Sequence, residues 1–131
     1  MAKGFWKGTS VLEIGFVAAV LLSLVAFTIP NFRRLQCQAV QSEARWTLGQ
    51  IAEAQALARM QTGQYFTLEQ LLHGDRVSLR DRFYRYETVG EPDAKTYEIQ
   101  ALGLTGTKVA GDIWTVNEKQ KITNVRSVCT K

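Results

Sequence analysis

Hydrophobic and polar positions divide the chain into an apolar stretch, an amphipathic stretch and a series of short alternating runs. From Ser10 to Ile29 the only charged side chain is Glu13. At the helical rise of about 1.5 Å per residue, this stretch spans roughly 30 Å, the thickness of a bilayer's hydrocarbon core. The pattern therefore predicts a membrane-length helix close to the N-terminus.

Helical periodicity resumes directly after Pro30. A proline removes one backbone donor, so we expect it to kink the helix without ending it. One helix is therefore predicted from about Thr9 to about Met60, with its first half in lipid and its second half amphipathic. Polar residues, Gln41 and Glu43 among them, lie off the apolar stripe of the second half. That stripe is predicted to pack on a core and consists of Cys37, Val40, Ala44, Leu48, Ile51, Ala54 and Ala58.

The region after this helix predicts a short helical turn and a set of strands. Gly63 is the residue type expected just past a helix end. Thr67 and Gln70 form a capping pattern for a short helix over residues 66–73. Four runs rich in β-branched and aromatic residues then predict strands, and four antiparallel strands packed against one helix make an α+β fold. The predicted strands cover residues 83–89, 96–102, 112–117 and 121–128.

Composition and charge give little indication of a nucleic-acid, metal or catalytic site. The net charge is +4, and acids and bases interleave along most of the chain, which is weak support for a nucleic-acid partner. Residues 75–87 place four arginines among aromatic residues and could contact single-stranded DNA, but three interspersed acids favour a solvated loop. With a single histidine and no CxxC pair, the sequence predicts no metal site, no cofactor and no catalytic set.

The start of the chain differs from a cleaved secretory signal peptide. Lys3 and Lys7 supply positive charge before the apolar run. The run ends at Ile29 and Pro30, however, without the small-residue site that signal peptidase requires. The apolar helix is therefore expected to remain on the mature protein.

The order of residues from Gly8 to Pro30 carries a family resemblance. Gly8 closes a short basic segment, Glu13 lies at the fifth position counted from Thr9, and Asn-Phe follows Pro30. This order resembles the type IV pilin and pseudopilin family, whose leader ends in glycine and whose mature helix carries a glutamate at its fifth position. The match extends more weakly to Gln41-Ser42-Glu43-Ala44, Gly63-Gln64-Tyr65 and the run 112–117.

The resemblance implies a division of the chain and a set of site residues. Residues 1–8 are expected to be a prepilin leader, 9–36 the transmembrane and filament-core half of the helix, and 37–131 the exported head. Cleavage is expected between Gly8 and Thr9, followed by N-methylation of Thr9. Glu13 and Pro30 are expected to act in assembly. Thr9 and Leu22 replace residues common in the family, which suggests a minor or divergent subunit.

The expected function is that of a structural subunit of a type IV pilus. Before assembly it would be held in the bacterial inner membrane in contact with lipid. Its partners would be prepilin peptidase, the inner-membrane assembly platform and other pilin subunits, in a homo- or hetero-polymer. One alternative is a pseudopilin of a type II secretion or DNA-uptake system, and another is a single-pass, signal-anchored envelope protein that binds a ligand. An enzyme is the least favoured class, and a nucleic-acid partner is also disfavoured.

The two cysteines are candidates for an intramolecular disulfide. Cys37 begins the apolar stripe of the helix, and Cys129 directly follows the last predicted strand. Both are expected on the inner side of an exported head, where the compartment is oxidising. Two unpaired thiols or an intersubunit bridge are the alternatives that the sequence leaves open.

Overall fold

The computed structural model describes residues 10–129, the side chain of Pro30 excepted. One long helix precedes a short helix and a four-stranded antiparallel sheet, which confirms the predicted α+β class. By its contacts the chain divides into two compact units, Met1–Leu35 and Gln36–Lys131. In chain order the elements are α1 (Val11–Thr62), α2 (Leu68–His73), β1 (Tyr84–Thr88), β2 (Glu98–Gly103), β3 (Ile113–Asn117) and β4 (Ile122–Arg126).

Within the described part of the first unit, α1 is mostly apolar, and all of its described side chains are exposed. Its most apolar 18-residue window has a mean hydropathy of 2.4, and none of that window is buried. The hydroxyls of Ser23 and Thr28 donate to the carbonyls of Ala19 and Leu24, four residues back. Those polar groups therefore need no partner outside the helix. By length and composition α1 can cross a membrane.

Within the second unit, the amphipathic half of α1 belongs to the core of the head. Ala44, Leu48, Ile51 and Ala58 are almost completely buried, as the predicted stripe requires. The placement of Gln41 off this stripe is wrong, because Gln41 is buried and its side-chain amide donates to a buried carboxylate. A polar side chain at a buried position is thus retained by a specific hydrogen bond.

The sheet has the strand order β1-β2-β3-β4, with every neighbouring pair antiparallel. Strand residues alternate between the core and the outer face, as the period of two predicts. Ile99, Trp114 and Val116 point to the core. Gly103 closes β2 where the backbone passes very close to Val109, and a Cβ at position 103 would meet the carbonyl of Val109. Only glycine fits there.

The connection between α1 and the sheet is held by local caps. Gly63 ends α1 with a φ of 80°, a left-handed conformation that favours glycine. Thr67 accepts a hydrogen bond from the Gln70 amide, and the Gln70 side chain accepts one from the Thr67 amide. This capping box is the one predicted from the sequence. Gln55 secures the turn from α1 by pairing its side-chain amide with both backbone groups of Phe66.

Candidate functional site

The exposed half of α1 is the largest unexplained feature of the described residues. From Ser10 to Leu35 every described side chain is exposed. Among its large apolar residues the exposed fraction runs from 43% at Val20 to 87% at Val11. Soluble monomers rarely expose contiguous apolar patches larger than a few hundred Å². This surface therefore requires a cover of lipid or of other protein.

Glu13 lies in the first turn of this helix, on the surface that it shares with Leu12, Phe16 and Val17. Its backbone amide donates to the carbonyl of Ser10 at 3.0 Å and to the Ser10 hydroxyl at 3.3 Å. Ser10 thus caps the helix, and Glu13 occupies the third helical position, where an acid also complements the helix dipole. A local capping role for Glu13 must therefore be separated from a role in assembly.

Of the other residues of the predicted processing and assembly site, only Pro30 lies within the described part of the chain. Gly8 and Thr9, the predicted cleavage and methylation positions, lie outside the described residues. The helix runs through position 30 without interruption. Since a proline has no N–H, Pro30 leaves the carbonyl of Ala26 without its usual helical donor. Of the predicted set, only Glu13 thus has a described side chain on the apolar surface.

In the head, Cys37 and Cys129 form a disulfide with a Cα–Cα distance of 5.6 Å. The bond joins the beginning of the amphipathic helix to a residue three positions beyond the end of the last strand. The sequence separation is 92 residues, so the closed loop contains nearly the whole head. The disulfide therefore fastens the C-terminal segment to α1.

A buried carboxylate lies at the same end of the sheet. Asp112 has no exposed surface, and its Oδ2 accepts hydrogen bonds from the Tyr84 hydroxyl at 2.6 Å and from the Trp114 indole at 2.7 Å. Its Oδ1 accepts from the Asn124 amide and from the Val128 backbone, both at 3.3 Å. The Gln41 amide lies 3.2 Å from both oxygens. We call this set the Asp112 cluster: Gln41, Tyr84, Asp112, Trp114, Asn124 and the backbone of Val128.

The Asp112 cluster links several elements of the head through hydrogen bonds. Each described partner of Asp112 is a neutral hydrogen-bond donor, and both carboxylate oxygens accept. Burial, and then the nearby Asp112, raise the pKa of the Tyr84 hydroxyl above its ordinary value, which keeps that hydroxyl protonated as a donor. The cluster ties α1, three strands and the C-terminal segment together beside the disulfide.

The arginine-rich segment predicted as a solvated loop forms no regular element before Tyr84. Two of its guanidinium groups lie over aromatic rings of the protein itself: that of Arg80 is 5.8 Å from the Trp46 ring centroid, and that of Arg76 is 5.4 Å from the Phe66 ring centroid. Tyr84 and Tyr86 are buried in the core. These two tyrosines are therefore not available for stacking on nucleic-acid bases.

Residues 10–129 contain no group of three histidine, cysteine or acidic side chains that could hold a metal ion. His73 is exposed at the end of α2. No family model matches the chain, and no curated protein sequence matches it. The features that indicate a function are therefore the apolar helix, Glu13 and the architecture of the head.

Proposed function

We propose that the protein is a structural subunit of a type IV pilus, inserted in the inner membrane, processed by prepilin peptidase and polymerised through its N-terminal helix. The observation that carries the proposal is the contrast between the two units. The head buries its own apolar residues around a closed core, whereas the first half of α1 buries none of its most apolar window. Lipid covers that surface before assembly, and the helices of neighbouring subunits cover it afterwards.

Glu13 gives this surface a specific electrostatic function. An ionised carboxylate at the centre of a membrane helix costs about 3 kcal/mol on insertion scales, and less near the membrane edge. Cleavage after Gly8 would create an ammonium group on Thr9, four residues from Glu13. When that ammonium meets Glu13 of a neighbouring subunit, both charges are compensated inside an apolar filament core. Polymerisation by one repeated, non-closing contact then produces a filament.

The architecture of the head supports the same function. Its disulfide, its buried carboxylate cluster and its antiparallel sheet hold the head together around one core. A pseudopilus would use the same helix chemistry in a shorter filament. A membrane-anchored binding protein would instead keep its N-terminal segment and remain a single subunit.

Processing tests the proposal directly. The intact mass of the protein from its native host should correspond to a chain that begins with a methylated Thr9. Gly8→Val should abolish cleavage and keep the protein out of sheared surface filaments. Gly4→Val, a matched change within the same segment, should leave both unchanged. A mature protein that retains Met1 to Gly8 would favour the membrane-anchored binding protein.

A further inference from the structure

The head is electrically polarised along its strands. One row of residues crosses the outer face of the sheet through the paired positions Arg85, Leu102, Ile113 and Arg126. Both arginines are exposed, and the two apolar residues between them are half-buried. The row lies at the end of the sheet where β1 begins, β2 ends, β3 begins and β4 ends.

The loop between β2 and β3 belongs to the same end. Lys108 in this loop donates to the side-chain carbonyl of Gln36, and its backbone carbonyl lies 3.9 Å from the Cys37 sulfur. Leu104 donates its amide to the carbonyl of Phe83 at 2.8 Å, so the loop also contacts the start of β1. We call this end of the head the basic end; its exposed cations are Arg82, Arg85, Lys108 and Arg126.

Acidic side chains are scarce at the basic end and frequent at the opposite end of the sheet. Near the basic end, Asp112 is buried and Asp81 is the one exposed carboxylate among the described residues 81–85, 102–113 and 126–129. At the opposite end, where β1 ends and β2 begins, acids outnumber the neighbouring lysines. The acids there are Glu91, Asp93, Glu98 and Glu118, and the lysines are Lys95, Lys119 and Lys121.

We propose that the basic end is a contact surface for anionic phospholipid headgroups, which holds the head against the membrane before the subunit is assembled. This inference rests on the proposed function, because it requires α1 to be inserted in a bilayer. The chain enters the head at Gln36, directly after the apolar unit that ends at Leu35. The surface that includes Lys108 and Gln36 is therefore within covalent reach of the bilayer interface.

The chemistry of the basic end fits headgroups better than nucleic acid. The half-buried Leu102 and Ile113 lie between the two arginines, so the surface combines cations with apolar area, as an interfacial surface does. The tyrosines of β1 point into the core and cannot stack on bases. At physiological salt, screening limits the attraction to about 8 Å, so only cations directly at the lipid surface contribute.

The expected effect is measurable by hydrogen exchange on the full-length protein. The protein is reconstituted in nanodiscs of phosphatidylcholine, or of equal parts phosphatidylcholine and phosphatidylglycerol, at low and high salt. Each cation near an anionic surface changes the association equilibrium about fivefold. The amides of residues 105–111 should therefore exchange at least about fivefold more slowly in the anionic discs at low salt. Residues 91–96, at the opposite end, should exchange equally in both lipids.

Matched charge removal identifies the surface. The triple variant Arg85→Gln, Lys108→Gln and Arg126→Gln should lose the lipid-dependent protection. The control variant Lys95→Gln, Lys119→Gln and Lys121→Gln removes the same charge from the opposite end and should keep it. If the first triple variant does not fold, Arg126→Gln alone should reduce the protection by about fivefold.

The outcomes separate the contact from the proposed function. Insertion in the discs with equal exchange in both lipids would overturn the headgroup contact and leave the pilin proposal standing. A chain that does not associate with the discs would overturn both. Equal loss of protection in the two triple variants would show that the protection depends only on the net charge of the head. It would refute a defined contact surface at the basic end. Protection of residues 105–111 by an oligonucleotide, with none by anionic lipid, would assign the basic end to nucleic acid instead.

Discussion

Replacing Asp112 with asparagine should destabilise the head strongly while hardly changing side-chain volume. In the native protein the Tyr84 hydroxyl and the Trp114 indole both donate to Oδ2, at 2.6 and 2.7 Å. Asparagine offers only one acceptor oxygen, and its NH₂ group would face donors on the other side. At least one buried donor is then left without an acceptor, whichever way the amide is oriented.

The magnitude follows from these two hydrogen bonds. Hydrogen bonds to charged groups contribute about 1.5 to 3 kcal/mol each, and a buried donor without a partner carries a desolvation cost of similar size. Whichever carboxylate oxygen the NH₂ group replaces, two donors lose their acceptor, either Tyr84 and Trp114 or Asn124 and the Val128 amide, so the free energy of unfolding should fall by about 4 kcal/mol. With a urea m-value of about 2 kcal/mol per molar, the unfolding midpoint should fall by about 2 M.

The assay is urea unfolding of the full-length protein in detergent, monitored by near-ultraviolet circular dichroism. Asp81→Asn makes the same chemical change at an exposed position and is the control. Its midpoint should match that of the unmodified protein. If Asp112→Asn unfolds at the same urea concentration as Asp81→Asn, the buried carboxylate does not hold the strands and the C-terminal segment together.

Three further predictions concern the head. Replacing Cys37 and Cys129 with serine should lower the free energy of unfolding by about 4 kcal/mol in the chain-entropy model, since the cysteines are 92 residues apart; an unchanged urea midpoint would contradict this. Burial raises the pKa of Tyr84, Tyr86 and Tyr97. Because the folded state then retains protons that the unfolded state loses, thermal stability should fall as the pH rises above about 10, and Tyr97→Phe should weaken that dependence. Gly103→Ala should prevent normal folding, because the new Cβ would meet the Val109 carbonyl. Gly49→Ala has room for a Cβ and should raise the stability of the helix by up to about 1 kcal/mol. Thermal melts of the two variants test both expectations.

Local patterns in the sequence were sufficient to predict the elements of the fold. The apolar stripe from Ala44 to Ala58 follows helical periodicity and becomes the buried face of α1. The Thr67 and Gln70 capping box depends only on residues three positions apart. Each predicted strand contains or largely overlaps an observed one, because alternating burial is also a local signal.

The ends of the strands depend on contacts that the local pattern does not contain. β2 begins at Glu98, two residues later than predicted, because the Asp93 carboxylate accepts hydrogen bonds from the amides of Lys95 and Thr96, both at 2.7 Å, and holds them in a turn. β4 ends at Arg126, because the Val128 amide is directed to Asp112. Hydrogen bonds from backbone amides to the Asp93 and Asp112 side chains thus set the start of β2 and the end of β4.

The buried polar residues could not be predicted for the same reason. Gln41 and Asp112 are 71 residues apart. Each is a polar residue type that is usually found on the surface, and only the contact between them explains its burial. Thr47 and Gln55 are also fully buried on α1. Gln55 pairs with the backbone of Phe66, and a hydrophobic pattern does not predict such a contact. Burial of a polar group is a property of the tertiary structure, whereas the apolar stripe is visible in the sequence.

The variant Glu13→Gln, studied in the native host, tests whether Glu13 acts in filament assembly. Glutamine preserves the capping pattern with Ser10, because either residue serves at the third position of a capping box, but it cannot neutralise an ammonium group. The measured quantity is the fraction of the protein in sheared surface filaments, with its amount in the membrane as the internal control. If Glu13 acts in assembly, the membrane level of the variant should be normal and its filament fraction strongly reduced. A filament fraction equal to that of the unmodified protein would show that Glu13 is only a helix-capping residue.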